Sequence, residues 1–148
     1  FFVLLLGSLF IYGCSSGVTG NSIKDFDEKV TVYKSSNCGC CGLYSNYLKR
    51  DKLNVNVVDV PDIDSIKERY GVPSVISSCH TTIIGDYFVE GHIPLEAISK
   101  LMTEKPDIAG IAMPGMPSGS PGMPGSKTSD FTIFAVNKDG SQEIFMTL

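Results

Sequence analysis

The fold of this chain is constrained most by a short strand, three clustered cysteines and a helix that follow one another directly. The segment KVTVYK, residues 29–34, alternates apolar and polar side chains, and this pattern predicts a β-strand. Cys38, Cys40 and Cys41 follow in the stretch SSNCGCCG. Apolar side chains then recur at helical spacing and predict a helix over residues 41–51. We therefore expect the cysteines to lie between the strand and the first turn of the helix.

The following segments continue an alternating α/β pattern. The β-branched run at 53–60 predicts a second strand, and Asp62 or Asp64 can cap a short helix after it. Two further strands flank a turn at Gly85, and Pro94 suits the first turn of a third helix. The predicted order is β-α-β-α-β-β-α, with the first two strands parallel. This order, with a C-x-x-C pair at the start of the first helix, resembles the thioredoxin fold.

The composition changes after residue 104. Residues 105–127 are rich in Pro, Gly and Met, and we expect a loop there without lasting regular structure. The stretch 130–148 predicts a β-hairpin that turns at NKDG. The predicted organisation is therefore a thioredoxin-like domain at 29–104 and an extension at 105–148, whose loop is held at both ends by ordered elements.

The N-terminal segment has the pattern of an export signal. Residues 1–12 form an apolar run that is too short to span a bilayer but has the length of a signal-peptide core. No basic segment precedes this core, so we expect the sequence to begin inside the signal. The run ends in IYGC, which resembles a bacterial lipobox and predicts lipidation of Cys14; an ordinary cleaved signal is the alternative.

The lipobox interpretation has consequences for location. Residues 1–14 become the signal, and residues 15–28 become a polar tether between membrane and domain. We then expect the protein on the periplasmic side of a Gram-negative cell envelope, where Ser15 after the lipidated residue favours the outer membrane. Four of the five cysteines remain for the chemistry of the domain.

Composition and charge limit the classes of function. The 148 residues are 43% hydrophobic and 19% charged, which is typical of one globular domain rather than a disordered chain. The formal net charge of −4 supplies no basic surface that could neutralise phosphates. We therefore expect no nucleic-acid partner.

Candidate reactive residues lie at three positions along the chain. Cys38 lies at a predicted helix N-terminus, where backbone N–H groups and the helix dipole favour the thiolate. Cys79 and His80 come directly before the third strand, where thioredoxin-like proteins usually carry a cis-proline, so we expect them to face the cysteine turn. The alternatives are a buried inert thiol for Cys79 and a side chain that points away for His80. His92 lies in a turn at the same end of the sheet, and it either approaches the cysteines or caps a helix or faces solvent.

The methionines fall into two groups. Met102 and Met146 belong to a predicted helix and strand, and we expect them in the core. Met113, Met116 and Met123 lie in the Pro/Gly-rich loop, where a flexible connector is the alternative to a ligand role. Thioether is a soft ligand that prefers Cu(I) to zinc, so thiolates, imidazole and thioethers together favour copper in an exported protein.

Three motifs together resemble the CopG-like family, formerly described only as a domain of unknown function. They are VTVYKSSNCGCCGLYSNYL, GVPSVISSCHTTIIGDYFVEGHIP and AMPGMPSGSPGM, and the resemblance covers residues 29–148. The family is associated with copper resistance in Gram-negative bacteria. It has a thioredoxin-like domain whose C-terminal extension helps to bind metal, so the resemblance implies that the extension at 105–148 closes a metal site.

The resemblance also implies a set of copper ligands. The copper-binding sulfurs would be those of Cys38, Cys40, Cys41 and Cys79, with the loop residues Met116 and Met123 closing over them. Three further candidates, either as ligands or as side chains that support the ligands, are His80, His92 and Met113.

Sequence and resemblance together predict an exported copper-binding protein of copper tolerance that holds Cu(I). Sulfur bridging permits several ions, and redox activity of the bound copper stays open. The expected partners are copper ions, a periplasmic copper chaperone or efflux system, and the membrane through the lipid on Cys14. The rival is a thiol–disulfide oxidoreductase that uses Cys38 and Cys41, and a zinc-binding protein is the weaker alternative. Binding is favoured over enzymatic turnover, and an enzyme would be a copper or thiol oxidoreductase.

Overall fold

The computed structural model describes residues 28–148, which form a seven-stranded mixed sheet with three α-helices. In chain order the strands are β1 (Val30–Lys34), β2 (Val55–Asp59), β3 (His80–Ile84), β4 (Tyr87–Glu90), β5 (Gly110–Ala112), β6 (Thr132–Val136) and β7 (Gln142–Thr147). The helices are α1 (Gly39–Arg50), α2 (Ile63–Arg69) and α3 (Leu95–Glu104), and a short 3-10 turn spans Ser74–Ile76. Across the sheet the strands lie in the order β2-β1-β3-β4-β5-β6-β7.

The first four strands confirm the predicted α/β class and the predicted order of elements. β1 pairs in parallel with β2 and antiparallel with β3, while β3 and β4 form the hairpin expected around Gly85. Of the two candidate caps of α2, Asp62 is the one used, because its side chain accepts hydrogen bonds from the backbone N–H groups of Asp64 and Ser65. These elements have the order and the parallel pairing of the first two strands that the sequence predicted.

Two apolar clusters cover opposite faces of the sheet. The larger cluster packs α1 and α3 against the sheet, with Tyr44 and Ile98 among its buried members. The smaller cluster includes Ile76 of the 3-10 turn and Phe88 of β4. Successive side chains of a strand point to opposite faces, so Phe88 and its neighbour Val89 mark the two sides of β4. The cysteine turn belongs to the α1 face.

The extension adds three strands to the same sheet. The hairpin predicted over 130–148 is confirmed as β6 and β7. The loop expected over residues 105–127 contains one strand of three residues, β5, which pairs in parallel with β4 and antiparallel with β6. This short strand pairs the backbone groups of β4, which would otherwise stand at a sheet edge. Gly110 weakens the strand pattern in the sequence, because glycine is uncommon inside strands. Glycine is nevertheless required there, because a Cβ atom would overlap the Phe88 carbonyl oxygen.

The predicted signal segment, Cys14 and nearly all of the polar tether lie outside the described residues. Within residues 28–148, no helix has both the length and the apolar composition needed to cross a bilayer. Lipidation at Cys14 therefore stays a prediction.

Candidate metal centre

The cysteine turn lies where the sequence predicted it, between β1 and α1. Cys38 is the N-cap of α1, and Cys40 and Cys41 lie in the first turn of that helix. Cys38 and Cys41 are joined by a disulfide, with their Cα atoms 5.4 Å apart, whereas Cys40 and Cys79 are free thiols. The N-terminal end of α1 therefore carries both a disulfide and a free thiol.

Cys79 brings a fourth sulfur against this turn. Its Sγ atom lies 3.5 Å from the Sγ atom of Cys41 and 3.8 Å from that of Cys40. The Cys40 Sγ atom lies 3.6 Å from that of Cys38, and all four sulfurs lie within 4.8 Å of one another. The structure thus brings together the four cysteines that the sequence singled out. Two of them become metal donors only when the disulfide is reduced, because the thiolate is the ligand.

Cys79 precedes β3 directly, at the position that the sequence assigned to it. Among residues 28–148 every peptide bond is trans, so no cis-proline occupies this position. Burial raises the pKa of the Cys79 thiol to about 11, and the neighbouring Cys40 adds to the shift. The thiol is therefore protonated at neutral pH in the metal-free protein, and a metal that binds there displaces a proton.

Two buried histidines also contact Cys79. Its Sγ atom lies 3.6 Å from Nδ1 of His80 and 3.6 Å from Nε2 of His92. Both imidazoles are fully buried, so the solvent-facing alternative for His92 is wrong, and His80 does not point away. These three residues form a second group of donor atoms that lie within 4.8 Å of one another. Cys79 is thus common to a sulfur group and to a mixed sulfur–nitrogen group.

A hydrogen bond to the loop fixes the ring of His92. Its Nδ1 atom lies 2.7 Å from the Pro121 carbonyl oxygen, which can only accept a hydrogen bond. Nδ1 therefore carries the proton, and burial lowers the pKa of the ring, which favours the neutral form. In this tautomer Nε2 is unprotonated and faces Cys79. Metal-ligating histidines typically make such a hydrogen bond through the ring nitrogen that does not bind the metal.

His80 has a buried nitrogen that is left without a partner. Its Nε2 atom makes no hydrogen bond among the described residues, while its ring centroid lies 4.7 Å from that of Tyr44. Burial lowers the pKa of His80 to about 3, and the nearby His92 and Lys67 add to the shift. The ring nitrogen that lies beside the Cys79 sulfur is Nδ1 rather than this Nε2 atom. Beside four sulfurs, neutral imidazoles fit a site for a soft metal ion.

The sequence did not point to the tyrosines that hold this site together. Tyr44 is fully buried against both imidazoles, with ring centroids 4.7 and 5.4 Å away. Its hydroxyl donates a hydrogen bond to the Ile93 carbonyl oxygen, and the Tyr47 hydroxyl accepts one from the Leu95 N–H. Tyr44 is buried and Tyr47 is half-buried, and their hydrogen-bond partners are 49 and 48 residues away along the chain. Only the tertiary structure identifies them.

The Pro/Gly-rich loop packs against α1 through its backbone. Gly122 has a φ of +80°, and its backbone passes so close to α1 that a Cβ atom would lie 2.7 Å from the Tyr44 nitrogen. The same Cβ atom would lie 3.2 Å from the Cys40 carbonyl oxygen. Both the conformation and the close approach require glycine. Together with the hydrogen bond between His92 and Pro121, this contact holds the loop at the cysteine turn.

The methionines occupy different environments. Met102 lies in the core and Met146 packs against it, as predicted. Met113 is also a core residue and is only 1% exposed. Met116 is exposed, and Met123 is half-buried. The structure places the backbone of the loop at the site, and a metal-binding role for the loop methionines stays a prediction.

Comparison with known proteins gives a family match over part of the chain. A family model described as "Protein of unknown function, DUF411" matches residues 76–123. This segment contains Cys79, both histidines and the methionines of the loop, but not the cysteine turn. The comparison with curated proteins found no match.

Solved structures match over nearly all of the described residues. One, "Copper resistance protein copG- Form 2", is 35% identical with a TM-score of 0.76, and the match covers 82% of this chain and 98% of that chain. Another, "Copper resistance protein copG- Form 1", is 36% identical with a TM-score of 0.75, and the match covers 81% of this chain and 96% of that chain. Sequence identity at this level over nearly the whole length of the matched proteins indicates a shared family as well as a shared fold. This chain therefore belongs to the CopG family of copper resistance proteins.

Proposed function

We propose that this protein is an exported copper-binding protein of copper tolerance, which holds Cu(I) at its cysteine turn. The observation that carries the proposal is the convergence of sulfur and imidazole donors on Cys79. The family relationship supports it, because both similar structures are described as copper resistance protein CopG. Copper is the cargo of this site rather than a cofactor for another reaction.

The donor set favours Cu(I) over zinc. Structural zinc sites commonly draw their ligands from two separated pairs. Here three sulfurs come from one helix turn, and Cys79 supplies the fourth from the start of β3. Thiolates crowded in this way, with imidazole nearby, suit a soft ion of low charge. Met116 and Met123 would add thioether ligands as the loop covers the site.

The shared position of Cys79 supports binding of more than one ion. Its sulfur belongs to the group with the other three cysteines and also to the group with His80 and His92. A thiolate can bridge two soft metal ions, so Cys79 would join an ion held mainly by sulfur to an ion held mainly by imidazole.

We place the site in the periplasm, with an anchor to the outer membrane through a lipid on Cys14. The disulfide between Cys38 and Cys41 supports an exported location, because disulfides persist in oxidising compartments. A periplasmic chaperone or efflux system would then exchange copper with this protein.

A competition between metals tests the choice of ion. The reduced protein is titrated anaerobically with Cu(I) against a chromophoric Cu(I) chelator, and in parallel with Zn(II). We expect Cu(I) to displace bound Zn(II), and Zn(II) to leave bound Cu(I) in place. Displacement in the opposite direction would favour the zinc alternative and contradict the proposal.

The disulfide favours one second candidate function, thiol–disulfide exchange. Cys38 and Cys41 form a C-x-x-C pair at a helix N-terminus, which is the usual setting of a reactive dithiol. In this reaction a substrate dithiol would give two electrons and two protons to the pair, so that the disulfide breaks here and forms in the substrate. Position 79 argues against thiol–disulfide exchange, because a disulfide exchanger of this fold should have a cis-proline there and this chain has a cysteine.

A further inference from the structure

We propose that the buried pair of Glu90 and Lys67 is a positioning device, which holds Cys79 and His80 in the geometry that binds metal. The proposal rests on the proposed function of the cysteine site. It assigns a role to two charged residues that lie outside the set of metal donors.

The carboxylate of Glu90 is fully buried at the end of β4, and both of its oxygen atoms accept hydrogen bonds. Its Oε1 atom accepts hydrogen bonds from the Ser78 backbone N–H and from the Lys67 ammonium, each at 2.5 Å. Its Oε2 atom accepts a hydrogen bond from the Thr81 hydroxyl at 2.7 Å. Lys67, also buried, donates a further hydrogen bond to the Thr81 oxygen at 3.0 Å. Hydrogen bonds thus link the carboxylate, the ammonium and the hydroxyl to one another.

This network encloses the two donor residues from both sides. Ser78 precedes Cys79, and Thr81 follows His80, so one carboxylate binds the chain before and after them. Thr81 is also the residue that pairs with Glu90 in the register of β3 and β4. Side chains of a strand alternate between faces, so Thr81 points to the α2 face while His80 points to the α1 face. The network therefore holds the segment from the face of the sheet opposite the metal centre.

Cys79 lacks the restraint that a cis-proline would provide. In the thioredoxin-like fold a cis-proline normally fixes the residue before β3. Residues 74–93 contain no proline, and no cis peptide bond occurs among residues 28–148. Without a restraint, rotation of the backbone at Cys79 would move its sulfur away from Cys41. Fixed hydrogen bonds on both sides provide the rigidity that proline would otherwise provide.

A gain in stability alone is a weak explanation for this buried ion pair. Replacing a buried ion pair with apolar side chains of similar volume is often neutral or even stabilising, because burying two charges is unfavourable. Glu90 and Lys67 are both buried, so this penalty applies to them. A conformational role at the adjacent donors is the kind of benefit that compensates for it.

The test compares two double variants of the full chain that both remove the charges, Lys67→Met/Glu90→Gln and Lys67→Met/Glu90→Leu. Glutamine keeps an oxygen that accepts the Ser78 hydrogen bond, whereas leucine does not. We expect the leucine variant to bind Cu(I) about 10–100-fold more weakly, the range found for groups that orient metal ligands. The glutamine variant keeps the Ser78 hydrogen bond but loses the Lys67 contacts, so we expect its affinity to lie between those of the leucine variant and the wild type. A leucine variant with wild-type Cu(I) affinity would overturn the proposal. Ile133→Val in β6 is the control for a general loss of stability, and it should leave the affinity unchanged.

Hydrogen exchange of the Ser78 amide separates this proposal from the proposed function. In the metal-free protein we expect slow exchange in the wild type and in the glutamine variant, and fast exchange in the leucine variant. If this pattern holds but the wild type binds no Cu(I), the proposed function fails and the restraint on the segment stands. Fast exchange in the wild type would contradict the restraint itself.

Thr81 gives a second test that does not depend on whether the leucine variant folds. Thr81→Val removes the hydrogen bond to the Glu90 Oε2 atom, and Thr81→Ser keeps it. We expect weaker Cu(I) binding in the valine variant and recovery in the serine variant. Equal affinities in the two variants would contradict a positioning role.

Discussion

The Sγ atom of Cys79 lies 3.6 Å from Nε2 of His92, and the other nitrogen of that ring donates a hydrogen bond to the Pro121 carbonyl oxygen. A thiol at the start of a strand, a buried imidazole and the backbone of the loop are therefore in direct contact. The loop fixes the tautomer that leaves Nε2 unprotonated. We expect metal binding at Cys79 and the packing of the loop against His92 and α1 to stabilise each other.

Cys79 should be essential for tight copper binding, because its sulfur belongs to both groups of donors. We expect Cys79→Ser to lower Cu(I) affinity by more than about 100-fold, which exceeds the usual effect of changing a residue that only supports a ligand. Chelator competition on the reduced protein measures this affinity. A Cys79→Ser variant with wild-type affinity would show that Cys79 is not a shared ligand.

The disulfide should compete with copper binding. Cys38 and Cys41 cannot act as thiolate ligands while they are joined, and freeing them takes two electrons and two protons. We expect protein oxidised at this pair to bind less Cu(I) per chain than reduced protein, and reduction to restore the difference. Copper content is measured beside mass spectrometry that verifies the disulfide. Equal copper content in the two states would contradict the participation of these cysteines.

Gly122→Ala should release the loop from α1. A Cβ atom at this position would meet the backbone of Tyr44 at 2.7 Å, and this crowding costs about 1–3 kcal/mol of folding free energy. Gly115→Ala is a matched control, because Gly115 has a similar φ of +84° but open space around the added Cβ atom. In both variants the left-handed backbone conformation costs an alanine about 1–2 kcal/mol, and only Gly122→Ala adds the clash with Tyr44. Chemical unfolding measures both losses, and equal losses would show that the loop does not depend on this contact.

The loop methionines should contribute to copper affinity rather than to stability. We expect the double variant Met116→Leu/Met123→Leu to weaken Cu(I) binding at least about tenfold, which corresponds to about 1.4 kcal/mol of binding free energy. Leucine has nearly the volume of methionine, so the free energy of unfolding should change by less than about 1.5 kcal/mol. Met102→Leu is the control, because it removes a thioether from the core and should not change copper binding. Unchanged Cu(I) affinity in the double variant would show that Met116 and Met123 belong to a connecting loop and do not bind copper.

The order of strands and helices could be predicted because each element carries its own local pattern. The alternating strand before Cys38, the cap of α2 at Asp62 or Asp64 and the turn at Gly85 were all predicted from residues close together in the chain, and the structure shows that Asp62 is the cap. The position of Cys79 opposite the cysteine turn then followed from the fold. The three residues of β5 escaped prediction, because they form a strand only where β4 and β6 supply partners.

The surroundings of the metal centre could not be predicted in the same way. Lys67 has the pattern of an ordinary surface residue on a short helix, and only the tertiary structure buries it beside Glu90. The hydrogen bond from His92 to Pro121 joins residues that are 29 positions apart, across a loop whose composition predicts no fixed conformation. Sequence patterns therefore identified the donors, while the groups that orient them became visible only in the structure.

An anaerobic Cu(I) titration of the reduced protein tests the copper-binding proposal most directly. The variant Cys38→Ser/Cys41→Ser is titrated beside the wild type, and insulin reduction is measured on the same samples. We predict that the wild type binds at least one Cu(I) tightly and that the double variant loses this binding, because two of the four clustered sulfurs are gone. Insulin reduction by the wild type in the absence of Cu(I) affinity would contradict the proposal and would identify the protein as a thiol–disulfide oxidoreductase.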